Sequence, residues 1–176
     1  MSEENKLITV SAINADWSRE DLTRFWDPGR KLLKAIRSYQ KWQNSNNVFA
    51  ILLAKICVVR HLFWSVCSGA DIPLTVRIGG GLLLPHPNGI VIHPKSVIGV
   101  NCLIHQQVTI GVKGDSAIPP VIHGHVDMGA GAKILGNIII KEHAVIGANS
   151  VVVKDVDSNA IVAGIPAKEI TRTGNK

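Results

Sequence analysis

Two side chains stand out for the chemistry their types allow. Asp71 lies fifteen residues before His86, and His86 sits between two prolines in the string L-L-L-P-H-P-N-G. An imidazole can take a proton near neutral pH from a hydroxyl that would not ionise unaided. A carboxylate on the second ring nitrogen fixes the tautomer and stabilises the imidazolium as it forms. The pair therefore suits base-assisted attack by a hydroxyl. His93, His105, His123, His125 and His143 lack such support and read as solvated or corner histidines, with His105 placed to line a cleft. His123 and His125 offer a zinc ion two ligands but no third, so no metal is expected.

Such a pair needs elements that bring distant positions together, and the chain supplies a fixed period. Aliphatic or near-aliphatic residues recur six apart at Ile72, Ile78 and Leu84, then at Ile92, Ile98, Ile104 and Ile110. A further run holds Ile122, Met128, Ile134, Ile140, Ile146 and Val152, and Gly79, Gly99, Gly111, Gly129 and Gly147 follow several of these positions. Six fits neither the helical nor the strand period. It fits a parallel β-helix, in which each hexad gives one short strand and one corner, and three hexads close a triangular coil. The run predicts roughly four to five coils. Fifteen residues is close to one coil, which brings Asp71 and His86 to neighbouring positions.

Two departures from the period mark where function sits. Leu84 to Ile92 spans eight residues, so P-H-P-N-G bulges from the coil and exposes His86. Val112–Pro120 carries no inward aliphatic before Ile118 and reads as a loop pushed out from a corner.

Ahead of the coil the composition changes. The chain has 176 residues, 46% apolar and 18% charged, but its four tryptophans all fall in the first 64 residues. Ser18 is a candidate N-cap with Asp21 three residues on, Pro28-Gly29 interrupts, and Arg30 to Gln43 resumes with Leu32, Leu33, Ile36, Tyr39 and Trp42 on one face. Val48 to Cys67 is apolar at most positions, with Gly69 as C-terminal cap. Its longest uncharged apolar run, Val48–Ala54, falls short of the roughly 18 residues of a spanning helix, so a buried helix is expected. An interfacial helix with snorkelling Lys55 and Arg60 is the alternative. The expected organisation is an α-helical segment over 1–69, a mainly β coil domain over 70–170 and a tail over 171–176.

Net charge is +6, but no basic stripe with interleaved aromatics points to nucleic acid. Cys57, Cys67 and Cys102 are an odd number without CxxC spacing and read as reduced thiols. The polar start M-S-E-E-N-K lacks the apolar core of a signal peptide. A cytoplasmic protein is expected, with peripheral association at the inner membrane as the alternative.

The strings D-I-P, R-I-G-G-G, H-P-N-G-I-V-I, V-T-I-G, G-A-G-A-K-I-L-G-N-I, I-G-A-N-S-V-V and A-G-I-P-A-K resemble the bacterial serine acetyltransferases and their relatives over about residues 70–170. The resemblance implies a left-handed parallel β-helix and acetyl transfer from acetyl-CoA to a hydroxyl. It also implies His86 as base and Asp71 as its partner, matching the family's dyad spacing. Acetyl-CoA would lie along one corner at Gly111, Ala130 and Ala148, with Lys133 or Lys168 meeting its phosphates and a Gly111-region N–H as oxyanion donor. The acceptor cleft would include Pro85, Asn88 and His105. A homotrimer with sites between subunits is implied as well.

The chain departs from the family where the amino acid is bound. Pro85 replaces the aspartate that precedes the catalytic histidine, and Ile118 and Pro119 stand where the family has an Arg-His pair. A desolvated zwitterion needs partner charges, and these are missing. A saccharide hydroxyl of exopolysaccharide, capsule or O-antigen assembly is therefore expected as acceptor, with serine as the alternative. A non-catalytic trimeric scaffold is the rival from another class.

Overall fold

The computed structural model describes residues 10–114 and 116–170. The expected tail and the first nine residues of the helical segment lie outside that range. A 3₁₀ turn at Trp17–Glu20 precedes α1 (Pro28–Trp42) and α2 (Val48–Ser68). Asp16, rather than Ser18, caps the turn, accepting the Ser18 N–H at 3.1 Å. Pro28 does not interrupt but starts α1. Proline has no N–H to leave unpaired in a first turn, and Asp27 accepts the Arg30 N–H at 3.3 Å. Leu32, Leu33 and Ile36 are fully buried against the coil, while Tyr39 and Trp42 are only half-buried.

The expected burial of the second helix is wrong. Only 11% of the apolar window in α2 is buried, and by length and composition alone the helix is long and apolar enough to cross a membrane. Its buried residues are Ala50, Cys57 and Ser68, one narrow stripe. Lys55 and Arg60 break the uncharged run without lowering the mean hydropathy of the window below 1.7.

The coil has three parallel faces. The first holds β1 (Arg77–Ile78), β3 (Val97–Ile98), β6 (Val121–Ile122) and β9 (Ile139–Ile140). On the second lie β4 (Leu103–Ile104), β7 (Asp127–Met128), β10 (Val145–Ile146) and β12 (Ile161–Gly164), with β13 (Ala167–Glu169) antiparallel at the end. The third face holds β2 (Val91–Ile92), β5 (Thr109–Gly111), β8 (Lys133–Leu135) and β11 (Val151–Val152). All thirteen aliphatic positions of the repeat are buried, at 8% exposure or less. Pairing of Ile78 with Ile98, Ile98 with Ile122 and Ile122 with Ile140 stacks them into a dry interior of five coils. The last coil is two residues short, and Val156 takes the inward place beside Ile140.

A stack of strands ends in unpaired backbone unless something covers it. At the first coil the cover is the helical segment. Gln40 Nε2 donates to the carbonyls of Leu74 and Val76 at 3.1 and 2.9 Å, and Arg37 donates to the Gly79 carbonyl at 2.7 Å. Glu20 accepts the N–H groups of Gly81 and Leu82 at 2.9 and 3.2 Å and holds Arg37 at 2.8 Å. At the other end β13 folds back on β12. The helices are thus the lid of the coil.

Candidate active site

The bulge around His86 is sewn to the end of α2. Gly69 caps α2 in the left-handed region at φ 66°, and its N–H bonds the Ser65 carbonyl at 2.9 Å. The Gly69 carbonyl then accepts the Gly89 N–H at 2.7 Å. A Cβ on Gly69 would meet only the movable Asn88 amide, at 2.6 Å, so it is the left-handed φ that favours glycine there. Two residues on, the Asp71 N–H donates to the Ile90 carbonyl at 2.8 Å, and Ile92 donates back to Asp71 at 3.0 Å. Asp71 thus lies on the seam that anchors the bulge, and His86 precedes Gly89 by three residues in that bulge. Both side chains are exposed, and neither bonds another described side chain.

The other expected cleft residues follow the same corner. Leu83 bridges Leu103, which sets Pro85 one coil from His105. Asn88 accepts the Gln107 N–H at 2.9 Å through its carbonyl. Farther along that corner, Ala130 accepts the Asn149 N–H at 2.8 Å, which puts Ala148 directly above it. Gly111 does not share this corner. It ends β5, at the opposite edge of the third face, where it accepts the Gly136 N–H at 2.9 Å. The expected acetyl-CoA positions are thus divided between two corners. Lys133 is tied down, donating to the Gln107 carbonyl at 2.6 Å and to Thr109 Oγ1 at 3.0 Å. Lys168 is exposed on β13, opposite Ala163. Among the described residues of Val112–Pro120 there is no strand, and Ile118 points outward at 54% exposure.

His86 opens onto a cavity of about 590 Å³ that the sequence did not reveal. Its far wall is Arg24, Trp26, Asp27 and Arg30, from the segment leading into α1. Asp27 and Arg30 pair at 2.9 Å, which uses both charges, and Trp26 meets Trp64 of α2 edge to face at 5.6 Å. These residues carry no repeat and no motif; only the string F-W-D-P-G at the helix start gave a place to look.

A larger groove, about 1030 Å³, lies along another corner, lined by Ala12, Ile13, His123, Glu142, His143 and Asn159. Asn101, His125, His143 and Asn159 occupy that corner in the left-handed region, one above another. Nδ1 of His125 and Nδ1 of His143 meet at 2.7 Å. Burial holds the His125 imidazole below its ordinary pKa, with Asp127 opposing and His143 adding to the effect. Glu142, bonded by Ser158 and its own N–H, and then by His123, is held down to about 2. Among the described residues no three His, Cys, Asp or Glu side chains converge to hold a metal. The three cysteines are free thiols, and burial pushes that of Cys102 up to about 11. This groove lies at a different corner from His86.

No protein-family model matches the chain. It is 33% identical over 162 residues to the serine acetyltransferase of Haemophilus influenzae, covering 91% of this chain and 61% of that relative. A serine acetyltransferase structure from Brucella abortus superposes with a TM-score of 0.70 at 33% identity, over 88% of this chain and 64% of that one. A serine acetyltransferase solved in complex with CoA matches at a TM-score of 0.67 and 33% identity, over 82% and 57% of the two chains. The likeness therefore extends beyond residues 70–170 into the helical lid. The chain spans about half to two thirds of the length of the curated relatives it matches. The chain belongs to the serine acetyltransferase-like, hexapeptide-repeat acyltransferases, and its coil is their left-handed parallel β-helix.

Proposed function

We propose that the protein is an acetyl-CoA-dependent O-acetyltransferase in which His86 is the general base and Asp71 orients it. The observation that supports this is the backbone seam at Gly69–Gly89 and Asp71–Ile90, which anchors the bulge carrying His86, and the cavity that His86 lines. A nitrogen of His86 takes the acceptor proton as the oxygen attacks the thioester carbonyl. The C–S bond breaks, and the imidazolium returns the proton to the leaving CoA sulfur. Asp71 on the other nitrogen stabilises the intermediate imidazolium. The relative solved with CoA supports the donor. No metal takes part in this scheme.

The donor would lie along the Ala130–Ala148 corner, with Lys168 near its phosphates. Gly111, on the other edge of the third face, would join from a second copy if the protein is a homotrimer with sites between subunits. Lys133 serves the phosphates only if it exchanges its present bonds to Gln107 and Thr109.

For the acceptor, the relatives' names support L-serine over the saccharide expected from sequence. The saccharide hydroxyl is the second reading, favoured by Pro85, Ile118 and Pro119 in place of serine-binding charges. Trp26 on the cavity wall adds to it, since an indole face suits a sugar ring. Thiol release from acetyl-CoA, followed with L-serine and with a panel of sugar acceptors, separates the two. Turnover with L-serine alone would sink the saccharide reading, and turnover with sugars alone would sink serine. A protein that transfers to neither, with His86→Ala indistinguishable from wild type, would be a scaffold. The protein is read as cytoplasmic.

A further inference from the structure

We propose that α2 lies in the plane of an anionic membrane surface, with its outward apolar face in the lipid. Ten large hydrophobic side chains of α2 are exposed, from Val48 at 81% to Val66 at 76%. Ala50, Cys57 and Ser68 face the protein. At 100° per residue, the opposite face carries Val48, Phe49, Leu52, Ile56, Val59, Phe63 and Val66. Arg60 projects from one margin of that face, while Lys55 lies within the exposed apolar arc, between Leu62 and Val48. This is the arrangement in which long basic side chains lie along apolar surface and set their charges among headgroups.

The charge of the chain points to the same occupant. Residues 28–70 contain seven Lys or Arg and no Asp or Glu, while the other 133 residues contain twelve basic and thirteen acidic residues. The whole positive excess therefore sits on the helical hairpin that bears the apolar face. A second copy docking hairpin to hairpin would bring these cations together without an acidic partner. Among the described residues the coil offers no matching patch of large hydrophobic side chains, since those exposed on it (Val91, Val112, Ile118, Ile139, Ile165 and Ile170) are scattered. An anionic lipid surface meets both the apolar face and the charge.

The helix lies along the surface and does not cross it. His61 Nε2 bonds the Ile72 carbonyl at 2.8 Å, and Gly69 is sewn to the bulge, so α2 cannot leave the coil without breaking both.

The test is co-sedimentation of the purified protein with vesicles of phosphatidylglycerol and phosphatidylcholine, against vesicles of phosphatidylcholine alone. Binding to the anionic vesicles, weakened at least tenfold by raised salt, is expected. Lys55→Gln and Arg60→Gln should each weaken it about fivefold, and the double variant Val59→Asp, Phe63→Asp should abolish it. That variant should keep its circular dichroism and its acetyl transfer to a soluble acceptor, which reports separately on the catalytic reading. Three results would overturn the inference: no binding to anionic vesicles, equal binding to both vesicle types, or a fall in oligomer mass in the double variant showing that α2 packs on another copy.

Discussion

In the proposed scheme His86 and Asp71 contribute differently, and their substitutions should separate. His86→Ala removes the base and should lower kcat by about 10²–10⁴-fold with acetyl-CoA affinity retained, measured by thiol release and by equilibrium binding. Asp71→Asn leaves the base in place but no longer stabilises its cation, so a smaller fall is expected in the same assay. A third prediction concerns His125, whose folded pKa lies below its unfolded value of 6.5. The unfolded chain then takes up this proton first as pH falls. Stability is fully present above pH 6.5 and is lost as pH drops from there towards the folded pKa. His125→Asn should blunt this acid loss in thermal melts, since asparagine already holds the same left-handed corner at Asn101 and Asn159.

At the scale of elements, corners and caps govern stability. A Cβ on Gly99 would fall 2.5 Å from the backbone of His123 and Gly124, whereas one on Gly111 would meet nothing nearer than Leu135 at 3.8 Å. Gly99→Ala should therefore cost roughly 1–3 kcal/mol in denaturant melts, and Gly111→Ala almost nothing. Gln40→Ala, which strips two carbonyls of the first coil of their donor, should cost about 1–3 kcal/mol. The coil was legible in the sequence because one inward side chain per hexad is a direct imprint of its geometry, and thirteen positions repeat it. The helical lid was not. Residues apolar on every side suggest a buried helix, and nothing local in Val48–Ser68 tells that only the stripe Ala50, Cys57, Ser68 is covered.

At the scale of the molecule, the site joins a periodic part to a non-periodic one. His86 was legible because it interrupts the repeat. Its opposing wall, Arg24 and Trp26, was not, because it is brought there by docking of the segment before α1. The division of Gly111 from Ala130 and Ala148 was also hidden, since equal places in successive hexads fall on different corners. If Gly111 joins the donor site from a second copy, as proposed, light scattering should give a trimer, about three times the 19.0 kDa chain. The central claim is acetyl transfer by His86, and the most direct measurement is thiol release from acetyl-CoA by wild type and His86→Ala, with L-serine and sugar acceptors. Acceptor-dependent release that the substitution abolishes is the predicted result; equal release by the two proteins would contradict the account.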